Sequence, residues 1–233
     1  MFDLTDYKFV KKDGKMVHNL GEANSIFNQY IAEIRDVHVQ SDMLRFRRNL
    51  ERIGSLMAYE ISKDLKYKID NVQTPLGIAQ VPVLQSNIVL ATILRAGVPF
   101  HQGMLNIFDK AESAFISAYR KHNKDGSFKI KLEYMAKPDL KDKILILSDP
   151  MLATGASMKL TYEALIEEEK PKHTYLAAVI ASAEGVEYVK KNFSKKNVSI
   201  WVGAIDDELT AQAYIVPGLG DAGDLAYGKK EDK

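Results

Sequence analysis

Cysteine is absent from the 233 residues, which removes disulfides, thiolate metal sites and a cysteine nucleophile together. That absence fits a reducing cytoplasm, and any chemistry falls to other side chains. Charge of one sign is also lacking: 32 lysines and arginines stand against 31 acids, a formal net charge of +1, so no global field favours a polyanion such as DNA. The N-terminal MFDLTDYKFVKKDGK has acids and lysines where an export signal needs an apolar core. Between Asn71 and Leu94 there is no charged residue, yet Pro75, Pro82 and several amides interrupt the run. It therefore does not suit a membrane span and reads as a loop leading into a strand. His18, His38, His101, His122 and His173 show no metal spacing, and no Gly-x-Ser-x-Gly elbow occurs. Metalloprotease and serine hydrolase chemistry are unsupported.

Repeats, low-complexity runs and a Pro-, Gly- or Ser-rich linker are missing as well, so 1–233 reads as one domain. With 46% hydrophobic residues it can bury a sizeable core. The first forty residues lack strong periodicity and read as an arm that wraps the body or a partner subunit. From Ser41 or Asp42 as a cap, Met43, Phe46, Leu50, Ile53, Met57 and Ile61 fall on one helical stripe. Three β-branched runs, NIVLATIL, KILILS and TYLAAVIA, are each followed by a helical pattern, and VSIWVGAI adds a final strand. Strands alternating with helices imply a mostly parallel sheet flanked by helices. FKIKLEY breaks the rhythm with period-two alternation, and KDGS is a turn signal joining it back to AFISAYR. Residues 114–135 thus read as an antiparallel hairpin projecting from the sheet, either an ordinary edge hairpin or a flap over a site.

Two loops carry the chemistry. In ILILSDPMLATGAS an apolar strand ends at Asp149, where open α/β sheets bind their ligands. The small residues after it and the helix N-terminus that follows suit a phosphate monoester, with Thr154 and Ser157 as hydroxyl donors. A plain strand-to-helix turn is the alternative, and a Walker A ending is missing. A carboxylate beside a phosphate cradle would repel the phosphate, so Asp149 points to a sugar hydroxyl or a developing positive charge. In YIVPGLGDAGD, Tyr214 to Asp224, Gly218, Gly220 and Gly223 match the dinucleotide pattern literally. The remaining length leaves no room for the helix and βαβ unit that pattern needs. What remains is a backbone-rich loop able to read a flat, hydrogen-bonding ligand such as a nucleobase. Arg95 and Arg120 close strands, and guanidinium groups there would suit a diphosphate.

These residues resemble a known family. SDPMLATGAS is similar to the loop of type I phosphoribosyltransferases that binds phosphoribosyl diphosphate (PRPP), and its DPMLATG wording resembles uracil phosphoribosyltransferases. YIVPGLGDAGD resembles that family's uracil loop, and ILRAG, RFRRNLERIGSLMAYE and AIDDEL resemble it in order. The resemblance implies an α/β fold with a mostly parallel central sheet, a projecting hairpin flap and an N-terminal helical arm (1–40). It implies a PRPP site of Arg95, Arg120, Asp149, Pro150, Met151, Leu152, Ala153, Thr154, Gly155, Ala156, Ser157 and Asp221. Within it Thr154 to Ser157 would hold the 5-phosphate, and Asp149 and Asp221 would be catalytic. Uracil would be read at Ile215, Gly220, Asp221 and Ala222 in the base loop (214–224), and Mg2+ would be steadied by Asp221. The implied reaction converts uracil and PRPP to UMP and diphosphate in pyrimidine salvage, in the cytoplasm, without nucleic acid or membrane as partner. Relatives form homodimers or larger homo-oligomers, and some are activated by GTP. Two departures stand out: VPFHQG after LRAG, and Ala156 in place of the second glycine of TGG. A positive φ at Ala156 would make its Cβ cost on the order of 1 kcal/mol and weaken phosphate binding. A second function compatible with the fold is a non-catalytic, RNA-binding regulator sensing PRPP or UMP, resting on Arg45, Arg47, Arg48 and Arg52. Near-zero net charge disfavours it.

Overall fold

Runs without charge form the middle of the sheet, as burial on both faces demands. The structure is a computed structural model that describes residues 15–122 and 128–230, with the side chains of 118–131 outside that description. In chain order the elements are β1 (Val17–Asn19), α1 (Ile26–Arg35), α2 (Met43–Ser62), β2 (Tyr67–Thr74), β3 (Gly77–Leu84), β4 (Ile88–Leu94), α3 (Gly97–Leu105), β5 (Glu112–His122), β6 (Phe128–Ala136) and β7 (Ile144–Ser148). Then follow β8 (Met151–Leu152), α4 (Ala156–Leu165), β9 (His173–Ser182), α5 (Ala183–Asn192), β10 (Val198–Asp206), β11 (Glu208–Leu209), β12 (Ile215–Val216) and α6 (Ala222–Tyr227). The main sheet runs β1-β10-β9-β7-β4-β5-β6. Every neighbouring pair is parallel except β5 and β6, which form the expected antiparallel hairpin.

Alternation along the central strands divides the core into two layers. Leu90, Ile146 and Ala177 face one way, onto Ile31 of α1, Leu50 of α2, Phe100 of α3 and Ala226 of α6. Ala91, Leu147 and Ala178 face the other, onto Met158 and Leu165 of α4 and Val186 and Val189 of α5. The long helix α2 is capped by Asp42, whose Oδ1 accepts from the Arg45 N–H at 3.0 Å. Its stripe from Phe46 to Ile61 is buried, but Met43, its expected first member, is exposed.

The N-terminal arm is helical and packs on the body, as expected, and a short strand precedes its helix. The arm before Ser41 carries its own structure: β1 pairs with β10, and α1, capped by Ser25, buries Phe27, Ile31 and Ile34. Polar Asn28 and Gln29 and the exposed Ile26 blur that helical stripe in the sequence. One expectation needs correction: the charge-free stretch after Asn71 is not a loop, because β2 and β3 pair antiparallel from Tyr67↔Leu84 to Thr74↔Gly77. Both of its faces meet solvent over most of its length, so no buried stripe betrays it. Pro82 is tolerated because in a two-stranded sheet every strand is an edge.

Candidate active site

The parallel strands lie in the order β5-β4-β7-β9-β10, so the winding reverses between β4 and β7. In doubly wound sheets the crevice beyond the strand carboxyl ends at this reversal takes the ligand. Arg95 leaves β4 and Asp149 leaves β7 at this point, and Thr92↔Ser148 is the last paired register between the two strands.

The loop from Asp149 is anchored along its first half. The Asp149 N–H donates to Ala177 O at 3.0 Å, and Pro150 O accepts from Val179 and Ile180 at 3.0 and 2.9 Å. Met151 and Leu152 then pair with Ile180 and Ala181. Ser182 Oγ donates to Ala153 O at 2.6 Å while accepting from the Gly185 N–H at 2.8 Å. The Asp149 carboxylate accepts from the Met151 N–H at 3.3 Å. The second half opens α4, whose first-turn amides lack partners within the helix and carry partial positive charge. Thr154 Oγ1 accepts from the Ala156 N–H at 3.4 Å, and Ser157 lies in the first turn. Gly155, at φ 80° and ψ −10°, is the residue that turns the chain. Ala156 is helical with no positive φ, so the expected Cβ penalty does not arise there.

The base loop closes the other side. β12 pairs with β11, and Ile215, Leu219 and Ala222 are buried. They belong to the same core layer as Ala96 from the β4 loop, against which Met151 and Ala153 from the β7 loop also pack. Gly218 and Gly220 take positive φ, 54° and 96°. Asp221 caps α6, its Oδ1 accepting from the Asp224 N–H at 3.0 Å. The glycine pattern is thus followed by a helix after all, a short one, but no strand follows α6 among the described residues. The dinucleotide motif still fails.

Arg95 is drawn to this loop. Its Nη2 donates to Asp224 Oδ1 at 2.9 Å and its Nη1 to Gly228 O at 3.3 Å. Arg120 lies on β5 opposite Ile130, and its side chain is outside the described residues. Asp206 at the end of β10 and Arg35 at the end of α1 also grip the loop, through Gly218. Burial pushes the Asp206 carboxyl up, but the Arg35 guanidinium and the Gly218 N–H outweigh it and hold the group below its ordinary value. No local signal links Arg35 to Asp206, 171 residues away.

Among the described residues no three His, Cys, Asp or Glu side chains converge on a metal position. Of the two carboxylates on this turn Asp224 is paired with Arg95, so the turn fits one ligand, Asp221, offered to a cation arriving with a polyphosphate better than a resident ion. The arginines of α2 have intramolecular partners: Arg45 binds Glu33, Arg47 binds Ala226 O, Arg48 binds Glu51 and Arg52 binds Asn49.

Fold and site together define a doubly wound α/β protein in which Arg95 and Asp149 leave neighbouring strands at the switch point and a backbone-rich loop reaches Arg95. Comparison with known proteins narrows the class. The family model for uracil phosphoribosyltransferase matches residues 23–229. The chain is 54% identical over 214 residues to a uracil phosphoribosyltransferase of Porphyromonas gingivalis, covering 92% of this chain and 99% of that one. It is 39% identical over 193 residues to one from Methanothermobacter thermautotrophicus, covering 82% and 87%. A solved structure of an Aquifex aeolicus protein matches with a TM-score of 0.80 at 30% identity, over 91% of this chain and 98% of that one. The chain belongs to the uracil phosphoribosyltransferase family and is a phosphoribosyltransferase enzyme.

Proposed function

We propose that this enzyme joins uracil to PRPP, forming UMP and diphosphate, and that the loops at Arg95, Asp149 and Tyr214–Asp224 are its site. The observation that carries this is that Arg95 and Asp149 leave neighbouring strands at the β4/β7 switch point and that Arg95 reaches Asp224 of the third loop.

In this reaction the bond from the ribose anomeric carbon to the diphosphate oxygen breaks, and a bond to uracil N1 forms. The N1 proton is released to solvent, and the diphosphate leaves with its electron pair. Positive charge gathers on the ribose as the leaving group departs, as in glycoside hydrolysis. Asp149, fixed at the strand end, orients the ribose and stabilises that charge. Thr154 to Ser157 and the first turn of α4 hold the 5-phosphate. Backbone groups at Ile215, Gly220 and Ala222 read the flat base. Arg95 takes the diphosphate end by exchanging Asp224 for phosphate, and an ion pair as exposed as this one, at 40% and 31%, exchanges at little cost. Arg120 is assigned to the same end. Asp221 would hold a magnesium ion arriving with PRPP, which would supply neutralisation of the departing charge. No side chain is assigned as base for N1, so positioning provides most of the rate.

The regulator alternative loses its support, because the α2 arginines are engaged within the chain. Self-association is favoured by the β2/β3 hairpin, which leaves Ile69, Val72, Leu76, Ile78 and Val81 exposed. The deciding test is diphosphate release from PRPP and magnesium with uracil, cytosine, hypoxanthine or orotate. Release with uracil alone, lost in Asp221→Ala, is the expected result. Silence with uracil would overturn the assignment.

A further inference from the structure

The base loop is gripped from outside by two residues that belong to neither proposed binding loop. Arg35 ends α1 and Asp206 ends β10, and they meet side by side: Nη1 donates to Oδ2 and Nη2 to Oδ1, each at 2.8 Å. The same two side chains take both polar groups of one loop residue. The Gly218 N–H donates to Asp206 Oδ2 at 2.9 Å, and the Gly218 carbonyl accepts from Arg35 Nη1 at 2.9 Å. Gly218 is itself closed tightly, for a Cβ there would lie 2.1 Å from Ile215 O. Gln40 Nε2 donates to Arg35 O at 3.1 Å, fixing the chain where the guanidinium leaves α1. Asp206 is only 7% exposed and Arg35 23%, so water screens the pair poorly and its charge-assisted bonds are strong and directional.

We propose that Arg35 and Asp206 are positioning residues for base recognition. They set the Gly218 turn, and through it the backbone of Ile215 on one side and of Gly220 and Ala222 on the other. This rests on the proposed reading of uracil by those three residues. Backbone readers have no side chain to adjust, so their accuracy depends wholly on how the loop is held, and a displacement near 1 Å is costly. The PRPP loop is anchored separately, to β9 and α5 through Pro150, Ala153 and Ser182. Loss of the Arg35–Asp206 pair therefore disturbs uracil recognition first and reaches PRPP only through Asp221, leaving the phosphate cradle in place.

The test is steady-state kinetics on the full chain, with uracil and PRPP varied separately. The variants are Arg35→Gln, Arg35→Lys, Asp206→Asn and the double Arg35→Gln/Asp206→Asn, each with a melting curve. KM for uracil is expected to rise on the order of tenfold in Arg35→Gln and Asp206→Asn, as charge-assisted bonds are lost. KM for PRPP, reached through Asp221 alone, changes by a smaller factor than KM for uracil. Arg35→Lys recovers part of the loss, and the double variant loses no more than the worse single, because both singles break one interaction. A lowered melting temperature with KM for uracil unmoved would make the pair purely structural and overturn the proposal. Should Arg35→Gln fail to fold, the charge-retaining Arg35→Lys decides: a raised KM for uracil supports the proposal and an unchanged one refutes it. A wild-type enzyme that makes no UMP is a different failure, that of the reaction assigned above, and removes this proposal with it.

Discussion

The loop after Asp149 places its conformational demand on Gly155 and leaves Ala156 relaxed, and a reciprocal pair of substitutions separates the two. At Gly155, φ is +80°, and an added Cβ would come 2.8 Å from Tyr188 Cδ1 and 3.3 Å from Gly185 O. Left-handed backbone costs a non-glycine residue about 1 to 2 kcal/mol, and crowding against the packed ring adds ~1 to 3 kcal/mol. Gly155→Ala is therefore expected to lose roughly 2 to 5 kcal/mol, shared between the fold and the ligand. If the loop holds its shape, the loss is read in the melting temperature. If it relaxes, PRPP affinity falls instead, by about tenfold for each 1.4 kcal/mol. Ala156→Gly does the opposite of restoring a missing glycine: it removes a methyl from the first helical position, costs at most ~1 kcal/mol of stability and leaves PRPP binding nearly unchanged. Calorimetric titration of both variants with PRPP and magnesium, alongside thermal melts, measures each share. Tenfold tighter PRPP binding by Ala156→Gly, or wild-type stability and affinity in Gly155→Ala, would refute the argument.

Further outcomes follow from other sites. His101 is buried on α3, its Nε2 3.1 Å from Ser113 Oγ, and burial pushes its pKa down from 6.5 to about 4. A neutral histidine held below its ordinary value gives stability that is full above pH 6.5 and is lost as pH falls towards 4. Urea melts should show a decline reaching ~2 kcal/mol by about pH 5, and His101→Gln should flatten it; an equal slope in the variant would exclude His101 as its source. Asp224→Asn breaks an exposed pair, so stability should change by less than about 1 kcal/mol while KM for PRPP falls as Arg95 is released. A raised KM would show that Asp224 helps hold the diphosphate end. The Leu76→Asp/Ile78→Asp double variant, altering side chains 100% and 70% exposed, should shift the enzyme to a smaller species in size-exclusion chromatography with light scattering. An unchanged mass would remove the hairpin from self-association.

How much could be read ahead of the structure depended on whether a residue's constraint was local. The strands around Leu90, Leu147 and Ala178 are legible because burial on both faces leaves no lysine, arginine, aspartate or glutamate to interrupt the pattern. Asp149 is legible because an acid at the end of such a strand has no packing reason to be there. Asp42 as a helix cap and the alternation of FKIKLEY are likewise written into a few neighbouring residues. The β2/β3 hairpin escaped because strands exposed on both faces carry no stripe, so the missing charge after Asn71 was legible and its pairing was not. Ala156 misled for a subtler reason: a substituted glycine signals strain only if that glycine held the left-handed conformation, and φ is not a property that residue type reveals when the preceding residue, Gly155, can take the turn. Arg35 was invisible for the plainest one. Its partners, Asp206 and Gly218, are 171 and 183 residues away, and only closure of the sheet brings the end of α1 to the end of β10. A site whose ligand is read by backbone therefore hides its determinants better than one read by side chains, because the residues that set the backbone need not lie in the loop.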